Sequence, residues 1–512
     1  MTIKKTALRF GLAMLATGLL QTHHATAQNA WAYKMDKTNH VITIYPTGNY
    51  TKDARNALAF LAERPDKDTY WTLLFAPGKY YLTLPLYCAN LTKVNFFSNP
   101  SNAARIIKAA NFSGSEYLLY LRTSQDIKVR GFEWYGKTTF QNGPNPVWPD
   151  QGIYFGSCRN ILVDNNKFFN FGDAALRTTT SEADPIKGVN SLNTIVTNNY
   201  FNNIYQVSTT SNDKVHGGTR GYRMEKNTFV NLRGSVKFAT RTPGASDVHI
   251  VDNVINGGDH FGLEIDNYNN MEIRGNNFEN IKGVAINMYT NGDRSNITKG
   301  FQWGNNFTIA GNVVKNCGRA IRFCPSPFFD GTVVTPKKVI IDSNTLSNIT
   351  DSNRDTPAIA VIDGKVDGLQ ITKNKMYSIK SSKYIAIQPG CTNIVQSSNL
   401  VNNTLLSTGG GLNIVLNEKT PPARPTNLSG KYQGGQKVML SWTDNAASET
   451  SEEIWASLDG KKYDFVARLK PASTKFSHQL SRLPAKRALY YTVKSVNKVG
   501  SSAPSPAYLV RF

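Results

Sequence analysis

One asparagine recurs along the middle of this chain at the same place in a repeated pattern, and that repeat restricts the fold more than any other feature. The segments ILVDNNKFFN, TIVTNNYFNN, YRMEKNTFVN, VHIVDNVING, MEIRGNNFEN, FTIAGNVVKN, VIIDSNTLSN and LQITKNKMYS align on Asn166, Asn199, Asn227, Asn253, Asn276, Asn312, Asn344 and Asn374. NIVQSSNLVN continues the series with Ser398 in the column. Steps run from 23 residues, between Asn253 and Asn276, to 36, between Asn276 and Asn312, so loops of unequal length are inserted. Periods of this size mark a repeat architecture, in which each unit buries its apolar face against its neighbours.

Apolar and polar residues alternate before the asparagine and again after it, which is the period of strands. A third alternating run follows in each unit: GLEID (262–266), AINMY (285–289), AIRFC (320–324), AIAVI (358–362) and YIAIQ (384–388). Three short strands per unit with no helix between them cannot make a doubly wound sheet. The leucine ladder of a horseshoe repeat is missing. The pattern predicts an all-β chain whose main domain is a right-handed parallel β-helix. The asparagines then occupy one tight bend, where stacked amides bond one another and the backbone.

The first turn is announced by ARNALAFLAERPDKDTYWTLLFAPGKYYLTLPLY (54–87). It reads as an amphipathic helix from Ala54 to about Glu63, then a strand, a Pro77-Gly78 corner and another strand. The helix is expected to cap the open apolar end of the coil, as a terminal repeat must. With this corner, residues 45–415 resemble the pectate-lyase-like superfamily, whose first turn carries an apolar-Pro-Gly-x-Tyr motif. The resemblance implies the fold. It leaves the chemistry open, because the superfamily includes lyases, hydrolases, epimerases and phage adhesins.

The ends of the chain carry other signals. Lys4, Lys5 and Arg9, the apolar run FGLAMLATGLL and Ala25-Thr26-Ala27 have the form of a cleavable signal peptide over residues 1–27, so the protein is expected to be secreted or periplasmic. No stretch is long and apolar enough to span a membrane. The β-helix is expected over 28–419, a proline-rich linker over 420–426 (TPPARPT) and a second domain over 427–512. KVMLSWTDNA, IWASLDGKKYDFVARL and ALYYTVKSVNKVGSSAPS are short strands joined by turns. Trp442, Tyr491 and the SVNKVGSSAPS ending resemble a fibronectin type III domain, which implies that Trp442 and Tyr491 pack in one core from opposite sheets. Five cysteines (Cys88, Cys158, Cys317, Cys324, Cys391) are too few and too irregular for a disulfide scaffold or a zinc site. They read as buried small residues, with Cys317 and Cys324 close enough in sequence to pair. The formal net charge of +22 points, in an exported protein, to an anionic polysaccharide and away from nucleic acid. The chain is expected to act as a monomer.

Long insertions cluster after the third strand of successive turns, at 179–193, 209–221, 240–247 and 289–306. Loops on one edge of such a coil wall a groove along the adjoining sheet. The outward positions of that sheet form a column: Tyr154, Arg177, Ser208 or Thr209, Lys237, Glu264, Asn287, Arg322, Ala360 and Ala386. Two positions further along lie Ala239, Asp266, Tyr289 and Cys324, with Arg241 beyond Ala239 and Tyr205 at the bend before its strand. Its polar part coincides with the long loops and gives way to alanine where they shorten.

Such a set suits β-elimination of a uronic-acid polymer. That reaction needs a neutralised sugar carboxylate, a base for the carbon-5 proton and an acid for the leaving oxygen. Lys237, Tyr205 and Arg241 are the expected catalytic group. Basic neighbours, Arg177 and Arg233 among them, are expected to depress the Lys237 pKa toward that of a base. Arg177, Lys214, His216 and His260 are expected to contact substrate, with Glu264, Asp266, Asn287, Tyr289 and Arg322 further along. The segment NTFVNLRGSVKFATRTPGASDVHIVDNVINGG resembles the corresponding turn of the alginate lyase and chondroitinase B group. There an Asn-Thr-aromatic bend precedes a strand carrying catalytic or substrate-binding basic residues, here Asn227-Thr228-Phe229, then Lys237 and Arg241. The group's lysine on the preceding turn corresponds to Lys214. Where the group places calcium-binding acids, STTSND offers Asp213, so no cofactor is firmly indicated and calcium stays open. The reading is a lyase for an anionic polysaccharide, alginate first. The alternatives are a glycoside hydrolase and a non-catalytic polysaccharide-binding adhesin. For the hydrolase, Glu264 and Asp266 point outward two residues apart, roughly 7 Å at strand rise.

Overall fold

The structure is a computed structural model. It describes residues 33–512 apart from 114–115, 141–145, 148–149, 181–190, 212–218, 241–244, 291–301, 329–330, 351–356, 382–383, 389, 407–412, 415–420, 446–448, 450, 471–472, 484–487 and 498. The signal-like segment and residues Asp213, Lys214, His216 and Arg241 lie outside the described residues.

Alternation of period two, repeated three times per unit, winds the chain into a right-handed parallel β-helix of three long sheets. They hold 14, 13 and 12 strands. The first sheet holds the strands before the asparagine, the second those after it, and the third the runs such as Phe261–Asp266. Between the two ends of the coil the strands pair in parallel with their counterparts one turn on, so side chains stack in columns (Val236 on Leu263, Leu263 on Ile286, Ile286 on Ile321).

The asparagine column is the bend between the first and second sheets. In Asn227, Oδ1 accepts from both the backbone N–H and the amide of Asn199, at 3.0 Å each. Its Nδ2 donates to Val196 O, Glu225 O and Asn253 Oδ1, at 2.8, 3.0 and 3.0 Å. A buried amide satisfied in this way loses little by leaving water. The ladder continues from Asn166 to Asn374 and then to Asn399, which accepts from the Asn374 amide at 3.0 Å. Ser398, expected in the column, instead occupies the position before it. The residue before each asparagine is left-handed (Asn165, Asn198, Lys226, Asp252, Gly275, Gly311, Ser343, Lys373, Ser398; φ between +53 and +66). That single residue turns the corner, and the amide ladder outweighs its cost of roughly 1–2 kcal/mol for a non-glycine.

Inside the coil the columns are apolar. Phe168, Phe201 and Phe229 stack face to face on consecutive turns with centroids 4.7 Å apart. All three are fully buried, each contributing about 1.5–3 kcal/mol by leaving water. The capping helix spans Tyr50–Glu63, four residues longer at its start than expected, because Asn49 Oδ1 accepts from Lys52 N at 3.2 Å and caps it. Ala54, Ala57, Leu58 and Leu61 form its buried stripe. At the Pro77-Gly78 corner, Gly78 has φ +145, and a Cβ there would meet Pro46 Cγ at 2.5 Å. The buried Tyr80 ties the corner to the first turn, its hydroxyl donating to Ile44 O at 2.9 Å and Ala76 O at 2.8 Å.

Beyond residue 425 the chain forms an antiparallel sandwich. One sheet contains Thr426–Tyr432, Lys437–Thr443 and Lys475–Gln479. The other contains Ser451–Ser457, Asp464–Leu469, Ala488–Val496 and Tyr508–Arg511. Trp442 and Tyr491 meet in its core from opposite sheets, as expected. All five cysteines are free and four of them are buried, as expected of small apolar residues, so Cys317 and Cys324 do not pair. Cys317 faces the core of the coil, whereas Cys324 packs in a separate cluster on the outer side of the third sheet. Among the described residues, no helix is long and apolar enough to cross a membrane.

Candidate functional site

The third sheet carries the outward column in the register read from the sequence. Tyr154, Arg177, Ser208, Lys237, Glu264, Asn287, Arg322, Ala360 and Ala386 are successive Cα partners. Ala239, Asp266, Tyr289 and Cys324 form the neighbouring column. The column also extends toward the N-terminus through Tyr120 and Tyr87, which the asparagine alignment missed because those turns precede its first member. Tyr87, Tyr120 and Tyr154 form a run of edge-on rings with centroids 5.3 and 4.5 Å apart.

At the centre, Lys237 and Glu264 meet across adjacent strands, Nζ to Oε1 at 2.7 Å. Tyr289 OH donates to the same oxygen at 2.6 Å, and Ser235 Oγ to Oε2 at 2.8 Å. Burial opposes the charge on Glu264. The Lys237 ammonium, Lys470 and the hydrogen bonds from Lys237 and Tyr289 outweigh it and hold the carboxyl far below the usual range. Lys237 shows the converse. Burial would lower its pKa, but the charges of Glu264 and Asp266 push it well up. This overturns the expected depression. Arg177 and Arg233 do not press on Lys237, because each is spent elsewhere. Arg177 pairs with Asp173 at 2.9 Å, while its Nε donates to Ser208 Oγ at 3.1 Å and NH1 to Tyr117 OH at 3.2 Å. Arg233 pairs with Asp259 at 2.8 Å, beside Lys282 at 2.7 Å. Glu264 therefore holds Lys237 in its protonated form.

Asp266, two residues beyond Glu264, is fully buried, and its carboxyl oxygens have no hydrogen-bond partner among the described residues. Burial raises its pKa, Lys470 and Lys237 oppose this in part, and Glu264 adds to the rise. Tyr289 is pushed well up by burial and by both acids. Tyr205 sits at the bend before Gln206–Ser211, its ring leaning across Gly234, where a Cβ would meet the ring at 3.0 Å. Burial and then the Glu264 charge raise its pKa, so its hydroxyl stays protonated. His260 keeps an exposed edge. Even so, the protein crowded round its ring disfavours the imidazolium and lowers its pKa; Glu264 opposes this, and Lys237 and Lys470 add to it. The site thus holds a neutral imidazole and a protonated phenol beside a fixed ammonium.

Further along, the groove is less open than expected. Asn287 is buried with Oδ1 unpartnered among the described residues. Arg322 is partly buried and pairs with Asp363 at 3.4 Å, not with Glu264 or Asp266. Ala360 and Ala386 point outward yet are buried, in an apolar cluster with Tyr289, Cys324 and Ile362. No pattern in the sequence points to Lys470, which reaches this face from the sandwich. Its Nζ donates to Tyr289 OH at 2.6 Å, stands 4.6 Å from the ring centroid, and lies 4.0 Å from Glu264 Oε1.

In the described part of this site Glu264 already accepts three hydrogen bonds, which leaves Asp266 as the single carboxylate without one, whereas a calcium cage needs several oxygens.

Comparison with known proteins agrees with the architecture. Residues 90–302 match the family described as "Right handed beta helix region". Among curated proteins none matches the chain. An Fn3-like protein from Clostridium thermocellum is 23% identical over 18% of this chain and 94% of its own, with a TM-score of 0.16. The N-terminal fragment of bacteriophage Phi29 gene product 12 is 11% identical over 76% of this chain and 75% of its own, with a TM-score of 0.41.

Proposed function

We propose that this protein is a secreted polysaccharide lyase that cleaves a uronic-acid-containing chain by β-elimination, with alginate the first candidate, and that its C-terminal sandwich is a fibronectin type III module. The β-helix is compatible with proteins that act on polysaccharides. One observation carries the finer reading: the open side of the site is cationic while its acids lie behind. The Lys237 side chain is 25% exposed and that of Lys470 43%, against 10% for Glu264. An anionic group entering from solvent therefore meets ammonium first.

In this reading Lys237 receives the uronate carboxylate and draws charge from carbon 5, making its proton acidic. Neutral His260 takes that proton. The electron pair forms the carbon 4–carbon 5 double bond as the carbon 4–oxygen bond breaks, and Tyr205 gives its proton to the leaving oxygen. The proton on His260 then returns to solvent and Tyr205 is reprotonated. Glu264 holds Lys237 in place, a positioning role. As a hydrolytic base it is poorly suited, because both oxygens are engaged and its pKa is depressed.

Asp266 alone favours the hydrolase alternative, since a raised carboxyl beside a depressed one is the pattern of an acid and its partner. Digestion of a panel of uronic-acid polymers separates the two. The lyase releases an unsaturated, ultraviolet-absorbing end, and Lys237→Ala removes that product. Reducing ends without the chromophore, lost in Asp266→Asn, establish the hydrolase. No product from any polymer leaves a binding protein.

A further inference from the structure

We propose that Lys470 is a second carboxylate-binding residue of this site, so that both domains build the substrate site. The proposal rests on the lyase reading above and extends it to a residue outside the coil.

Lys470 follows the sandwich strand Asp464–Leu469 and contacts the third sheet at its chemical centre. An ammonium has three donors. One goes to Tyr289 OH, and the side chain keeps 43% of its surface open. At 4.0 Å from Glu264 Oε1 it is a looser partner than Lys237 at 2.7 Å. Glu264 is thus already balanced by Lys237. The looser, more exposed Lys470 ammonium is therefore the cation left to meet an incoming sugar carboxylate.

Lys470 is not a surface side chain that happens to reach across. The charge of Glu449, in the sandwich, also acts on the partly buried Arg322 of the coil. Beside these contacts lies the buried outer cluster of Tyr289, Cys324, Ala360, Ile362 and Ala386.

The test uses the full chain and the uronate polymer that the unaltered protein cleaves. Lys470→Ala should raise KM about ten- to hundredfold, the loss expected for a hydrogen-bonded charge, with a smaller change in kcat. It should also flatten the dependence of KM on salt. Lys470→Met keeps the aliphatic stem and should behave as the alanine variant does, which separates charge from packing. Lys470→Arg should hold KM within a few-fold. An unchanged KM in both neutral variants, with Lys237→Ala inactive, overturns this proposal and leaves the lyase reading standing. Increased turnover also overturns it, because the lysine is then a plug. Failure of the unaltered protein to form any unsaturated product removes the lyase reading, and this proposal with it.

Discussion

Replacing Asn253 by alanine tests whether the amide ladder holds the coil together. Asn253 Oδ1 accepts from Asn227 N and Nδ2, both at 3.0 Å. Its Nδ2 donates to Met224 O, Val251 O and Asn276 Oδ1, at 2.8, 3.1 and 2.9 Å. The residue is 1% exposed, so water does not readily replace these partners. The NH2 group has two protons to share among its three acceptors, so the amide makes four hydrogen bonds, and at a net value near 1 kcal/mol each their loss is about 4 kcal/mol, at the severe end for one substitution. Asn253→Asp should cost at least as much, because it keeps the acceptor but turns a carboxylate toward three oxygens. A long coil need not melt as one unit, so the assay is chemical denaturation together with amide hydrogen exchange. Protection should fall first in the turns around Asn227 and Asn276 and least near the N-terminal cap. A stability loss under about 1 kcal/mol, or exchange that rises evenly along the chain, would refute the ladder as the main tie at this bend.

His260→Gln should lower turnover at least about a hundredfold, the usual share of a general base. In the unaltered enzyme the acid limb of the kcat/KM profile should lie below the ordinary histidine value of 6.5, as its lowered pKa requires; a limb above that value excludes His260 as the base. Asp266 has a folded pKa raised above 3.8, so its contribution to stability is present at low pH and is lost as pH rises through the raised value. Asp266→Asn should therefore raise the melting temperature at pH 8 more than at pH 4 while leaving lyase turnover nearly intact; equal shifts at both pH values contradict the assignment. In a Cys391→Ser background, native Cys324 should resist a polar thiol reagent and react once the sandwich is displaced by mild denaturant; rapid labelling of the native protein would show that the outer cluster is open.

The coil was legible because its signal is periodic. Alternation marks each strand, and the asparagine column aligns the turns, so the sequence alone puts Arg177, Lys237, Glu264 and Asn287 in one row. The Ser398 misplacement arose because a left-handed residue and the asparagine after it are adjacent, and two polar residues fit either slot. The electrostatics of Lys237 were misread for a different reason. A column lists neighbours but not pairings, and Asp173 and Asp259, which engage Arg177 and Arg233, lie at bends outside the outward columns. Lys470 was beyond reach altogether, since docking between domains depends on surface shape that no local pattern encodes.

A stack of parallel strands has no natural length. Each turn presents at its rim the same hydrogen-bonding groups that joined it to the previous one, so an open end can bind another copy and begin a fibre. At each rim of this chain one of the three sheets changes direction. At the start, Tyr33–Asp36 runs antiparallel to Val41–Ile44, and the helix Tyr50–Glu63 closes the apolar centre. At the finish, Thr404–Leu405 folds back antiparallel on Leu400–Val401. A reversed strand cannot pass on the parallel register that stacks the amides, so the growth that builds the molecule also ends within it.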